Sequence, residues 1–505
     1  MASDLGLAAV FEAMGMGDEY LRSVAATVTL HPVLDPAAIA YRQGVLSDCL
    51  AQREIIAQIH ELAQAAIAEE KKVWSVFTNV PRGRLHRAVR VLELCSTHLR
   101  RLRNIADATT GRFSSEGLQN LMEAVRTELS DEYLAGLARH LRLLRFDSGV
   151  LASARLSPGG TSSDWRVHLS AAPPLNWWQR LGLLFRRSDA SWIVIGPGDD
   201  RAEVLRGQAI DQAAAALSGA MEHVLSFFAS LRFELGFYLA AANLHDRLSS
   251  LGRSSCLPTA NLEGSGTLQA RGLYDVGLTL LSGQGLVQND LDADGCSLIL
   301  ITGANQGGKS TFLRALGLAQ VMMQAGLFVA AHSFSAPVRG GVFTHYKREE
   351  HSESGLGKLE EELARMSQVV DWLTPGCLML LSESFSSTNE NEGAAIASAL
   401  IEALLETGVT VACVTHSFQL AEHFARGGRT DVAFLRAERR DDGTRTFRIV
   451  PEAPSPTSHG QDLFRLVFGY RLSVSEVGRE RRPQSPRRGT RRARTEGTAA
   501  EEVQN

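Results

Sequence analysis

One run in the sequence has the residue types and spacing of a phosphate cradle. Ser297-Leu-Ile-Leu-Ile-Thr302 reads as a buried strand. It leads directly into Gly303-Ala304-Asn305-Gln306-Gly307-Gly308-Lys309-Ser310-Thr311, and Phe312 opens a helical pattern. This is the GxxxxGK[ST] spacing between a strand and a helix. Glycines let successive backbone N–H groups curl round an anion, and the helix N-terminus adds positive potential. Lys309 is spaced to reach the outer phosphates of a nucleoside triphosphate, and Ser310 offers a hydroxyl to Mg²⁺. Only five of the 52 basic residues are lysines, so a lysine here is a specific choice. The bland alternative is a glycine-rich turn with an incidental Lys.

Further along, Cys377-Leu-Met-Leu-Leu381 reads as a second buried strand, ending in Ser382-Glu383. Phosphate-loop enzymes place an Asp here for Mg²⁺, followed by a Glu that polarises the attacking water. Glu383 suits the second role. Ser382 stands where the Asp would be, so the expected metal-facing set is Ser310, Ser382 and Glu383. A third strand, Val409 to Val414, ends in Thr415-His416, where an imidazole can sense a γ-phosphate or the attacking water. Between them lies Ser354-Gly355-Leu356-Gly357-Lys358, followed by a charged helix. Small residues before a helix can offer N–H groups to a phosphate. With no obvious partner on its own phosphate loop, this segment points to a composite site completed by a second subunit. A strand-capping Glu, a structural His and a solvated loop are the alternatives.

These residues need elements to hold them. Residues 1–155 read as a helical core: Asp35-Pro36 is a start signal, and Ile39, Val45, Leu46, Leu50, Ile55, Ile56, Ile59 and Leu62 recur mostly every three or four residues. Ser114-Ser115 and Ser130-Asp131-Glu132 look like caps of later helices. Residues 156–200 read as a small β-containing insertion with four of the six tryptophans, Trp165, Trp177, Trp178 and Trp192. Residues 201–258 are expected to form a lever around one proline-free helix, roughly 70 Å long at 1.5 Å per residue. Residues 259–470 alternate strand and helix, an α/β pattern with a largely parallel sheet. Residues 471–505 form an arginine-rich tail whose composition predicts disorder.

The 505 residues carry a formal net charge of −4 and are 44% hydrophobic and 21% charged, which excludes collagen-like, disulfide-scaffold and wholly disordered chains. Met1 to Met16 lacks a signal-peptide pattern, and the best apolar stretch, Leu313 to Ala331, is broken by Arg314, Gln320 and Gln324. Six scattered cysteines without a CxxC pair are expected to be reduced thiols in a cytoplasmic protein.

With the motifs assembled, the chain resembles the MutS family of DNA mismatch repair ATPases. Thr302 to Thr311 is similar to the family's TGPNMGGKST, and Val287-Gln-Asn-Asp-Leu291 to its lead-in. Ser382 to Gly393 has the length of DExGRGTSTxDG; Thr415-His416 matches ATH, and Thr457 to Leu463 resembles SYGxxxA. Upstream, Ile39 to Val45 and Glu234 to Leu239 look like the helical core and returning lever of smaller bacterial relatives. The resemblance implies an all-α core and lever region with a small β insertion, then an ABC-type P-loop ATPase domain. It also implies a homodimer using ATP and Mg²⁺ and binding duplex, mismatched or branched DNA, with no membrane association. In it Gly303 to Thr311 cradle the nucleotide, Glu383 activates water, His416 is the switch histidine, and Ser354, Gly355, Gly357 and Lys358 reach the partner's nucleotide.

Three features depart from the family pattern. Ser382 replaces Asp, and Gly357 stands where the family has Ser, with Ser354 nearby. No segment before Asp35 is long enough for the mispair-reading domain, and neither Phe11-Glu12-Ala13 nor Phe233-Glu234-Leu235 matches its Phe-x-Glu wedge. Candidate DNA contacts are the tail arginines and Trp177 to Arg187. A switch of the same fold that engages a protein, or a weakly active ATP-binding dimer, are the competing expectations.

Overall fold

In the computed structural model the described residues are 1–73, 80–144, 151–156, 162–168, 200–262, 264, 266–283, 286–347, 357–440 and 444–455. Most of the tryptophan-rich stretch, Ser354, Gly355, Thr457 to Leu463 and the tail lie outside them. The amino-terminal helices are α1 (Leu7–Gly15), α2 (Glu19–Thr29), α3 (Pro36–Ala51), α4 (Arg53–Glu70), α5 (Pro81–Ala108), α6 (Glu116–Glu128) and α7 (Asp131–Leu144). Caps explain several starts. The Asp18 carboxylate accepts from Tyr20 N at 2.8 Å to open α2, and Asp35 accepts from Ala37 N at 3.1 Å ahead of Pro36. A short antiparallel pair follows, β1 (Leu151–Leu156) with β2 (Ser162–His168).

Next comes α8, Asp200–Ser250, 51 residues and so about 76 Å long. Its length is possible because two separate cores each take part of it. Phe228, Leu231, Leu235 and Leu239 pack with Ile56, Ile59, Leu92 and Leu99 of α4 and α5 in the helical core. Phe237, Ala240, Leu244 and Leu248 enter a second core shared with the α/β half. The segment Ile210–Ser250 is apolar and long enough to cross a membrane by composition alone, but its large apolar side chains are largely spent on these two cores.

The α/β half has a six-stranded sheet in the order β12, β11, β6, β10, β9, β8. The strands are β6 (Leu298–Thr302), β8 (Val342–Tyr346), β9 (Leu378–Ser382), β10 (Thr410–Val414), β11 (Val432–Arg439) and β12 (Arg445–Pro451). All neighbours are parallel except the β11–β12 hairpin at one edge. Alternate residues divide between two faces. Ile299, Ile301, Leu378, Leu380, Ala412 and Val414 pack under α10 (Lys309–Gln324). Leu298, Leu300, Met379, Leu381, Val411 and Cys413 pack on α12 (Glu390–Glu406) and α13 (Phe418–Arg426), reached after α11 (Lys358–Val370). A sheet covered on both faces reads as continuous apolar runs, as it does here. Beside it lies a four-stranded sheet, β3 (Thr259–Asn261), β7 (Ser333–Pro337), β4 (Gln269–Leu273) and β5 (Asn289–Asp292), with α9 (Val276–Ser282) between β4 and β5 in sequence. This sheet is mostly antiparallel, an addition to the parallel pattern expected from sequence.

Two local features differ from the sequence expectation. The helices of residues 1–155 do not share one core: Leu5, Leu7, Val10, Met14 and Val24 of the first thirty residues join the α/β core with Leu313 and Leu316 of α10. Gly317 explains the fit, because a Cβ there would lie 2.7 Å from Leu5 Cδ2. Second, Ser115 sits at the N-cap of α6 without a side-chain capping bond. Asp48 of α3 does that work: its carboxylate accepts from Ser114 N at 2.9 Å, Ser115 N at 2.7 Å and Ser114 Oγ at 2.7 Å.

Burial raises the Asp48 pKa, but the hydrogen bonds from Ser115 and Ser114 outweigh it and hold the carboxyl below its ordinary value. A depressed carboxyl stabilises the fold above about pH 4 and loses that contribution as pH falls through its lower folded value. Asp48→Ala should therefore cost about 3 kcal/mol in urea unfolding at neutral pH, by leaving donors unpaired. The gap to the parent should narrow in acid; equal stability at pH 7 would refute the capping role.

Candidate functional site

The glycine-rich loop leaves β6 and turns through left-handed backbone at Gly303 (φ 114°), Gln306 (φ 60°) and Gly308 (φ 91°) before α10 begins at Lys309. Close packing explains two of its glycines. A Cβ on Gly307 would lie 2.8 Å from Ala437 Cβ, and one on Gly303 would lie 3.0 Å from Ala437 N. Lys309 is only 4% exposed, and its Nζ donates to Gly303 O at 2.8 Å and Ala304 O at 3.0 Å. Burial lowers its pKa, opposed in part by the Glu383 charge. Asn305, Gln306 and Ser310 are exposed.

Ser382 ends β9 and places its Oγ 3.2 Å from Ser310 Oγ. Glu383 follows, with its N–H donating to Val414 O at 2.9 Å, so its backbone continues the ladder to β10. Both Glu383 (φ 52°) and Phe385 (φ 61°) are left-handed non-glycine residues. Such a conformation costs about 1–2 kcal/mol per residue. It persists only where the surroundings over-determine it.

Gln306, Gly307, Gly308, Lys309, Ser310, Thr311 and Glu383 line one cavity of about 380 Å³. Apolar side chains complete it, among them Leu273, Leu278, Val287 and Phe447. The β11–β12 hairpin is stitched over the loop: Arg445 Nη1 donates to Gln306 Oε1 at 2.7 Å. Asn289 Nδ2 donates to Phe447 O at 3.3 Å, and Ile449 N donates to Asn289 Oδ1 at 2.7 Å. Asp275, also on the cavity, caps α9 by accepting from Leu278 N at 2.9 Å and pairs with Arg314 of α10.

Other expected site residues lie differently. His416 is exposed just beyond β10 and does not line the cavity. Gly357 is the N-cap of α11 and Lys358 its first residue, and neither lines the cavity. Gly303 and Ala304 contribute through the carbonyls that hold Lys309, and Asn305 is outside the lining. Sequence reasoning missed Asp275, Asn289 and Phe447. Asn289 had a signal in the Val287 to Leu291 run; Phe447 comes to the site only through sheet pairing. Because Gly303 combines φ 114° with a 3.0 Å approach, Gly303→Ala should destabilise the chain by about 1–3 kcal/mol in denaturant unfolding, and an unchanged midpoint would contradict this packing.

Comparison with known proteins bears on the whole arrangement. A family model described as the MutS2 N-terminal domain matches residues 34–251, and one described as MutS domain V matches residues 299–471. An Endonuclease MutS2 of Anaeromyxobacter sp. (strain Fw109-5) is 28% identical over 418 residues, 77% of this chain and 47% of that protein. An Endonuclease MutS2 of Thermus thermophilus is 38% identical over 130 residues, 26% of this chain and 17% of its own length. A DNA mismatch repair protein MutS of Shouchella clausii is 34% identical over 151 residues, 30% of this chain and 17% of its own. The matched part of the chain thus spans less than half the length of these relatives. With both domain types present in order along a helical region and an α/β region, the chain belongs to the MutS family.

Proposed function

We propose that this chain is a MutS-like ATPase of DNA repair, with ATP and Mg²⁺ as cofactors and an ABC-type P-loop head over 259–470. The observation that carries this reading is the meeting of the buried Lys309 ammonium, the Ser310 hydroxyl and the Glu383 carboxylate on one cavity beside Gly307 and Gly308. Its volume, about 380 Å³, falls within the usual range for a small-ligand site. Lys309 exchanges its two carbonyl partners for outer phosphate oxygens, and burial strengthens that attraction. Leu278, Val287 and Phe447 offer apolar surface to the base. Glu383 orients the attacking water and accepts its proton.

The donor set fits Mg²⁺, a cation that takes oxygen ligands and keeps several waters. Ser310 and Ser382 are adjacent hydroxyls, and Glu383 lies on the same cavity. When bound, the ion neutralises charge on the transferring phosphoryl group. We assign His416 the switch position at the end of β10. Gly357 and Lys358, with Ser354 and Gly355, are assigned to the nucleotide of a second copy in a homodimer; the described pair, Gly357 and Lys358, lies off the cavity of its own chain, which supports the reading. In this reading α8 acts as the lever joining the head to a DNA-engaging helical region in the cytoplasm. The neutral Ser382 beside Ser310 favours one further reading, a slowly hydrolysing switch that engages a protein or serves as a structural dimer.

Lys309→Ala should abolish equilibrium ATP binding; retained binding would overturn the phosphate-loop assignment. An electrophoretic series on homoduplex, mismatched, branched and single-stranded DNA, with and without ATP at stated salt, tests the DNA reading. Preference for one structure, altered by ATP, is expected. Equal weak binding to all four would reject structure-specific recognition and favour the protein-engaging switch.

A further inference from the structure

Glu383 occupies an unfavourable backbone conformation, and on the β8 side the ladder that carries it stops one residue earlier. The β8–β9 pairing ends at Tyr346 opposite Ser382, with Lys347 N donating to Ser382 O at 3.0 Å. Beyond that point, on this side, side chains take over from backbone. Ser384 Oγ donates to His345 O at 2.9 Å, and His345 Nδ1 lies 2.8 Å from the same Oγ. A hydroxyl has one proton. With that proton on the carbonyl, Nδ1 is the donor, and the two residues form a reciprocal pair.

The rest of the His345 ring is held just as closely. It is 2% exposed and stacks on Phe385, with centroids 5.5 Å apart and planes at 24°. With Nδ1 protonated, its Nε2 is the acceptor and faces Arg365 Nη2 at 3.4 Å on α11; the Glu362 carbonyl, also on α11, lies 3.1 Å from the same nitrogen as a neighbour and not as a hydrogen-bond partner. The Glu362 carboxylate in turn accepts from Ser387 Oγ at 2.9 Å. So Ser384, Phe385 and Ser387, three of the four residues after Glu383, are gripped by His345 or Glu362.

We propose that His345 is a positioning residue for Glu383, holding Ser384 and Phe385 so that the carboxylate stays in its left-handed setting on the nucleotide cavity. His345 does not itself line that cavity, so it acts through the segment it clamps. The inference rests on the reading of Glu383 as the residue that orients water.

The test uses the purified full chain, with steady-state ATP hydrolysis and equilibrium ATP binding measured on each variant. His345→Ala should lower kcat about 10- to 100-fold, the scale of a misplaced catalytic group, while the Kd for ATP stays within about twofold. His345→Asn keeps an N–H near the Nδ1 position and should recover part of the loss. Ser384→Ala should reproduce the loss, and the double variant should be no slower than either single one. Ser384→Ala removes only a hydroxyl, so it carries the test if His345→Ala does not fold. Parental kcat in Ser384→Ala, or an ATP affinity that falls as far as kcat, overturns the proposal. Glu383→Gln separates the two readings. If it hydrolyses like the parent, the assignment of Glu383 fails and this inference with it. If Glu383→Gln is inactive while His345→Ala and Ser384→Ala are not, only this inference falls.

Discussion

The central constraint is the burial of β6 on both faces and both edges. Ile299 and Ile301 belong to one core, Leu298 and Leu300 to the other, and β10 and β11 pair along its two sides. A strand held this way has no freedom of register, since a one-residue slip would exchange its two cores. The loop from Gly303 therefore begins at a set point, and α10 is docked with equal definition beneath the sheet. The same packing sets the ends of β9 and β10, which bring Ser382, Glu383 and His416 to the same carboxyl-terminal end of the sheet.

Defined strand ends still leave single residues to be aimed. Lys309 is held by two carbonyls of its own loop, a desolvated ammonium hydrogen-bonded to neutral dipoles and eased in part by the Glu383 charge. In the proposed reading such a group gains strongly from an incoming anion. Glu383 is aimed by backbone strain held in place by contacts from β8 and α11. The contrast is instructive: one charge waits for its partner, while the other is braced against its own backbone.

The helical region and the α/β region are joined by more than a linker. Phe228 and Leu235 of α8 are inside one core, while Leu244 and Leu248 are inside the next. Arg53 of α4 donates to Asn243 Oδ1 at 2.5 Å and pairs with Asp246, and Asn243 Nδ2 donates to Met14 O at 2.9 Å. One rigid helix thus carries residues of both cores, and the first thirty residues pack where it enters the second. Any rotation of α8 must disturb packing in both cores, because close-packed interiors do not deform smoothly.

The residue order alone determined the strand, glycine-rich loop and helix around Gly303 to Lys309, the strands before Ser382-Glu383 and Thr415-His416, and the long helix. These are local patterns: glycine and lysine spacing, unbroken apolar runs, and a proline-free helical period each follow from neighbours in the chain. Tertiary structure decided the rest. Asp48 caps α6 from 66 residues away, so Ser114-Ser115 looked sufficient when it was not. Leu5 sits in the α/β core because Gly317 leaves room for it, a fit no periodicity encodes, and Leu7 joins the same core. Phe447 reaches the cavity by hairpin pairing, and His345 reaches Ser384 by strand adjacency across 39 residues. The division has a physical cause. Hydrogen bonds and packing between distant segments depend on which surfaces meet, and a linear pattern of residues does not specify that meeting.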